Sequence, residues 1–224
     1  MPRHDNLLKK FTGFNPTEID ETQWQLGGTT EISGSPLTDG HWIRTNFVPR
    51  GERQIKGFDV FGCVTFSYLN ALEILYHRIK GKVINFSDRW LYIISGTTEN
   101  GNNQQTVAEA ARKNGLINEA DLPCVGNSQE EYADPKIITD ELREKAKEFL
   151  IETIPLHDWI PSDKHGLLNA LGWSPLSIAV EAWYRDENGY YFSPQNTLPN
   201  HATTLIDFSL NDYFLILDSY PEDD

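Results

Sequence analysis

The longest ordered pattern in the chain begins at Phe61. Over FGCVTFSYLNALEILYH the apolar positions cover most of a helical circumference, and Ser67, Asn70, Glu73 and His77 form one thin polar stripe. This predicts a helix buried on nearly all sides, starting at Phe61-Gly62-Cys63 and running to about His77. Shorter helical patterns follow at Asp88–Ser95, at Gln104–Lys113 with an Asn114-Gly115 stop, at Asp140–Leu150, and from Ser162, a capping residue, to about Leu171. Beyond Pro175 the period turns to alternation. Strands are predicted over Leu176–Ala182, Tyr190–Phe192, His201–Phe208 and Tyr213–Leu217, divided by turn residues at 186–189 and 210–212. Helices first and antiparallel strands second make an α+β fold, and two lobes with a cleft between them would fit it. Residues 1–50 are mixed and turn-rich, with Gly27-Gly28, Gly34, Pro36 and Gly40, and read as an extended segment wrapping the domain.

Composition narrows the function classes. With 39% hydrophobic and 12% aromatic residues, the 224-residue chain is folded, as one domain or two closely packed lobes. Its formal net charge of −14 disfavours nucleic acid or an anionic membrane as partner, because both would repel it. No apolar run approaches the ~20 residues needed to span a bilayer. The opening MPRHDNLLKKFTGF lacks the sustained apolar stretch of a secretory signal. The loose acidic groupings, Asp158 with Asp163 and residues 221–224, read as solvated surface, so no metal or other cofactor is expected.

Only two cysteines occur. Cys124 follows a loop with no activating neighbour and reads as an inert buried thiol. Cys63 lies at a helix N-terminus, where the positive end of the dipole stabilises a thiolate. A nucleophile there needs a base, and the base needs an orienting acceptor. Of the six histidines, His4 and His41 belong to the N-terminal segment, and His77 lies about 20 Å along the cysteine's own helix. His157 and His165 stay eligible on composition. His201 opens the apolar strand HATTLIDF, and the next strand, YFLILDSY, ends in Asp218-Ser219, which a hairpin would return to His201. A carboxylate so placed holds the imidazole tautomer and stabilises its charged form. The plain alternatives are a histidine packed at a strand edge and a carboxylate solvated at a strand end.

These residues resemble the papain family of cysteine peptidases. Gly62-Cys63-Val64-Thr65-Phe66-Ser67 is similar to the stretch around the family's catalytic cysteine, Asn200-His201-Ala202 to its histidine segment, and Asp218-Ser219-Tyr220 to its Asn-Ser-Trp segment. Cys63 and His201 are 138 residues apart, within the family's roughly 130–150. Gly101-Asn102 falls where the family has a Gly-Gly pair whose backbone binds extended substrate. Lys113-Asn-Gly-Leu, Ser174-Pro-Leu-Ser-Ile-Ala-Val and Asn188-Gly-Tyr-Tyr resemble further family segments, so the likeness covers about residues 54 to 220. It implies a papain-like two-lobe fold over 51–224, helical to about 150 and β-rich from about 151, with 1–50 as an N-terminal extension. It also implies a Cys63–His201–Asp218 triad, substrate contacts at Gly101, Asn102, Ala179 and Asn200, and a peptide or protein substrate. Gln54 is the candidate for the oxyanion-hole glutamine, three positions further from the cysteine than the family places it, where this chain has Gly57.

Departures from the family pattern shape the rest. Val60 stands in place of a disulfide-forming cysteine, which suits a reducing, cytoplasmic compartment. Asp218 replaces Asn, Tyr220 replaces a Trp that shields the His–Asn contact, and Val64 replaces an aromatic. The chain ends six residues after Asp218, before strands that complete the second lobe in relatives, and the N-terminal extension lacks the long helical pattern of an inhibitory pro-segment. Three functions are therefore open: a peptidase cutting peptide or isopeptide bonds through an acyl-enzyme, a cell-wall amidase or acyl transferase with the same triad, and a papain-fold binding or structural protein that has lost activity. The sequence leaves the oligomeric state open.

Overall fold

The computed structural model describes residues 13–18, 23, 42, 53–54, 57–193, 198–209 and 213–220. Most of the N-terminal wrapping segment, His4, His41, the 210–212 turn and the acidic 221–224 group lie outside the described residues. Helix α1 spans Cys63–Lys80, α2 Asp88–Ile94, α3 Gln104–Asn114, α4 Gln129–Tyr132, α5 Asp140–Glu152 and α6 Lys164–Leu171, with a 3-10 turn at Pro135–Ile137. Five strands follow: β1 Leu176–Val180, β2 Tyr184–Arg185, β3 Tyr191–Phe192, β4 His201–Phe208 and β5 Phe214–Leu217. The order is the expected α+β one.

Helices α2 to α6 begin where a side chain caps them, whereas α1 starts after Gly62 with no side-chain cap. Ser87 Oγ accepts the Trp90 N–H, Asn103 Oδ1 the Thr106 N–H and Thr139 Oγ1 the Leu142 N–H, each replacing a hydrogen bond the first turn cannot make for itself. Helix α6 starts one residue later than Ser162 predicts. Asp163 is the cap, accepting the Gly166 N–H at 2.9 Å, and both residue types suit that position. Helix α1 stops at Gly81, which takes the left-handed conformation (φ 68°) a side chain would resist.

Antiparallel β1, β4 and β5 form a sheet in the order β1-β4-β5, and β2 pairs with β3 in a separate hairpin. Strand β4 is central and buried from His201 through Asp207. Helix α1 lies against β4 and β1, where Thr204 Oγ1 donates to Ser67 O (3.0 Å) and the Ser67 and Ser177 hydroxyls hydrogen-bond.

The expectation of a helix buried all round holds because α1 feeds three apolar clusters. Val64 and Leu69 pack with Trp90, Leu91, Val107 and Leu116 on α2, α3 and the loop beyond. Ile74 packs with Leu171, Leu176 and Leu205 between α6 and the sheet. Phe66 packs with Val60, Tyr92 and Tyr132. Each such side chain contributes about 1.5–3 kcal/mol on burial. Ser67, Asn70 and Glu73 of the polar stripe are buried too, and His77 is half-buried. Glu73 is 1% exposed, and its Oε1 accepts the Phe86 N–H at 2.7 Å. Glu73→Ala leaves that backbone donor buried without its carboxylate, at a cost of about 2 kcal/mol. The midpoint of thermal unfolding should fall by roughly 4–8 °C; an unchanged midpoint would show that Phe86 finds another acceptor.

Candidate active site

Cys63 is the first residue of α1 and is 1% exposed. Its aim is set by the turn before it. Phe61 has φ 55°, an uncommon conformation for a bulky side chain, and its N–H is held by Asp59 Oδ1 at 2.8 Å. Gly62 is close to Phe66 and Tyr92, so a side chain there would press both rings.

His201 is the first residue of β4, opposite Val180 at the end of β1. The β4–β5 register sets Thr204 against Leu217, which returns Asp218 to the start of β4 as the hairpin argument predicts. His201 Nε2 lies 2.9 Å from Asp218 Oδ1. The imidazole is fully buried between two aromatic rings, Trp183 edge-on at 5.7 Å and Tyr220 tilted at 5.3 Å. Burial pulls its pKa down, but the charge and hydrogen bond of Asp218, then those of Cys63, outweigh burial and push it up to about 10. The imidazolium is the form this pocket favours. The other eligible histidines are placed elsewhere: His157 has Glu109, Arg112 and Asp158 as its charged neighbours, and His165 lies on α6.

Gln54 sits beside the same segment. Its N–H donates to Ser219 O at 3.1 Å, and its side chain is fully buried. Among the described residues neither Gln54 Nε2 nor Oε1 has a hydrogen-bond partner, a costly state for a buried amide. Such an amide is suited to a polar atom that arrives only with a ligand. Gly57, at the spacing usual in the family, is exposed and has φ 87°.

The substrate-contact candidates divide. Ala179 faces Ala202 across the β1–β4 pair, next to His201. Asn200 is engaged in structure, its Oδ1 accepting the Ala182 N–H (2.7 Å) and its N–H reaching Val180 O (3.0 Å). The Asn102 side chain is likewise tied to Ser95 and Thr97.

The backbone of Asn102 is taken by the chain itself. Asn102 N–H donates to Gly13 O (3.2 Å) and Asn15 N–H to Asn102 O (2.8 Å), a parallel bridge centred on Phe14 and Asn102. This segment passes directly over Cys63. A Cβ placed on Gly13 would stand 2.9 Å from Cys63 Sγ and 2.8 Å from Phe61 O, and one on Gly101 (φ 76°) would strike the Gly13 backbone at 2.2 Å. Two bare glycines let the strands approach so closely. Sequence reasoning missed Gly13, Asp59 and Trp183; a glycine in a turn-rich segment carries no signal of what it will lie against.

The fold has solved counterparts. The digestive procathepsin L 3 of Tenebrio molitor larval midgut matches 88% of this chain and 63% of its own, at 18% identity and a TM-score of 0.59. The proform of Amb a 11, a cysteine protease and ragweed pollen allergen, matches 87% of this chain and 58% of its own, at 20% identity and a TM-score of 0.60. The bromelain protease of Ananas comosus, solved with an inhibitor, matches 71% and 73%, at 19% identity and 0.52. The chain thus spans less than two thirds of the length of the first two. No family model and no curated protein sequence matches it. Identities this low speak for fold alone, and that fold is the papain-like one of cysteine proteases, with the central helix starting at Cys63.

Proposed function

We propose that the chain is a cysteine peptidase that hydrolyses peptide or isopeptide bonds through Cys63, His201 and Asp218. The observation that carries this is the buried His201, held by Asp218 at 2.9 Å with Cys63 beside it. Buried histidines ordinarily lose their proton, and this one is built to keep it.

In this reading the Cys63 thiolate attacks the substrate carbonyl carbon, and the charge on oxygen is met by the Cys63 N–H and Gln54 Nε2. Collapse breaks the C–N bond as His201 passes its proton to the departing amine. Having given its proton to the amine, His201 is neutral, and acylation has removed the Cys63 charge that favoured its protonated form, although that of Asp218 remains. It can then accept a proton from water, whose oxygen attacks the acyl carbon. The C–S bond breaks, and the thiolate and imidazolium are restored. One residue thus serves as acid and then as base.

Peptide or protein is the substrate class. Cys63 and Cys124 are not joined in a disulfide, which suits a reducing compartment such as the cytoplasm. No described helix is long and apolar enough to cross a membrane. Gly13 covers Cys63 in the full chain, so the N-terminal segment must move before a substrate can enter.

The test is iodoacetamide labelling at pH 6, read peptide by peptide, together with cleavage of a peptide library. Cys63 should react faster than Cys124 does in the unfolded protein; equal rates and an uncut library would sink the reading. For any peptide that is cut, Gln54→Ala should lower kcat about 10²-fold, the usual loss on removing one oxyanion donor. A kcat within about threefold of the parent would remove Gln54 from the oxyanion site.

A further inference from the structure

One carboxylate ties the nucleophile's turn to the far end of the sheet. Asp59 Oδ1 accepts the Phe61 N–H at 2.8 Å, and its Oδ2 accepts the Tyr220 O–H at 2.6 Å, from a residue 161 positions away. The first bond holds Phe61 in its positive-φ conformation, which persists only where the surroundings fix it. The second anchors Asp59 to a tyrosine whose ring packs on His201 at 5.3 Å and whose N–H approaches Asp218 Oδ1 at 3.4 Å. The turn that aims Cys63 and the segment that aims His201 and Asp218 thus meet in a single side-chain hydrogen bond.

We propose that the Asp59–Tyr220 hydrogen bond is a latch, and that Asp59 and Tyr220 are positioning residues that hold Cys63 in register with His201. This rests on the peptidase reading above. Without the latch, the Phe61 turn keeps only the backbone path through Gln54, Val60 N–H to Gln54 O (3.3 Å) and Gln54 N–H to Ser219 O (3.1 Å), and the cysteine is freer to drift from the imidazole. Catalytic geometry is lost over displacements of about 1 Å. The phenol is a dependable donor, since burial, then the charge and hydrogen bond of Asp59, push its pKa well above the ordinary tyrosine value. The ionisable groups around His201 are Asp218, Cys63 and Tyr220, with Asp59 behind the phenol.

Three variants of the full chain separate a latch from a general support. Tyr220→Phe keeps the ring against His201 and removes only the donor. Asp59→Ala releases both partners. Asp59→Asn keeps a carbonyl for Phe61 and turns an amide N–H toward the Tyr220 oxygen, re-forming the bond with donor and acceptor exchanged. The readouts are the NMR titration of the His201 ring, assigned by its absence in His201→Ala, the Cys63 alkylation rate at pH 7, and the thermal midpoint. In Tyr220→Phe and Asp59→Ala the His201 midpoint should fall by about one pH unit or more and alkylation should slow about tenfold, as the imidazolium loses its close thiolate. Asp59→Asn should restore both to within about twofold of the parent rate. A thermal midpoint lowered by a few degrees with His201 unmoved in Tyr220→Phe would overturn the latch alone. A parent His201 that titrates in the ordinary imidazole range would overturn the peptidase reading, and the latch with it.

Discussion

His201→Ala is expected to slow carboxymethylation of Cys63 at pH 6 by about 10²-fold and to abolish hydrolysis, while the fold persists. His201 stands beside Cys63, and Asp218 keeps it charged by proximity and by a 2.9 Å hydrogen bond. In the proposed mechanism, removing the ring removes the acid for the leaving amine and the counter-ion for the thiolate together. Asp218→Asn should act less severely and differently. The amide can still accept the imidazole N–H, but the negative charge is gone, so the His201 midpoint drops from about 10 and the alkaline limb of the rate profile moves to lower pH. The same shift has a sign in stability. The folded His201 holds its proton more tightly than the unfolded one, so this stabilisation is fully present below about 6.5 and is lost as pH rises through about 10. His201→Ala should flatten the thermal midpoint across that window. A variant that keeps the parent's rate at pH 6 would show that Cys63 owes nothing to the histidine.

What the sequence revealed and what it hid divide along physical lines. Helix α1 was legible because its apolar residues go nearly all the way round, and only burial on all sides satisfies such a helix. The β4–β5 hairpin was legible because two apolar runs flank turn residues, and from it the meeting of His201 with Asp218 followed. Helix α4 was not, since four residues capped by Ser128 are too short to show a period. The two-residue strand β2 has the same difficulty, whereas β3 falls within the strand predicted at Tyr190–Phe192, and the strand predicted at Leu176–Ala182 ends early at Val180 because Ala182 N–H turns to the Asn200 side chain. Pairings across long stretches were hidden altogether. Nothing local in Asp59 points to Tyr220, and Asp59 would pass for ordinary polar surface. Gln54 was found through a family spacing it does not obey, and its buried, unpartnered amide is information only a folded chain supplies.

Releasing the N-terminal segment is expected to raise Cys63 reactivity by about tenfold or more. Among the described residues, three contributions hold the segment down: two backbone hydrogen bonds with Asn102, and Phe14, which is 8% exposed and packs in the cluster shared by Val64 and Ala202. The two hydrogen bonds at about 1 kcal/mol each and the ring at about 2 act against the entropy of ordering the residues that make them. A closed arrangement favoured by only about 1.4 kcal/mol already holds back about tenfold a reagent or substrate that reacts only with the open form. Deleting residues 1–16 removes all three contributions, and Phe14 with them from the core. Gly13→Ala is the cleaner variant because it keeps Phe14 and adds one methyl where Phe61 O and Cys63 Sγ leave no space. Both variants should label faster at Cys63, with Cys124 as the internal control, and both should cut any peptide the parent cuts, at a higher rate and with a lower KM. Unchanged labelling in both would mean that reagent and substrate reach Cys63 past Gly13 without displacing it. Slower labelling, with a broadened unfolding transition, would mean that the segment is a structural strand of the domain and the site opens by another route.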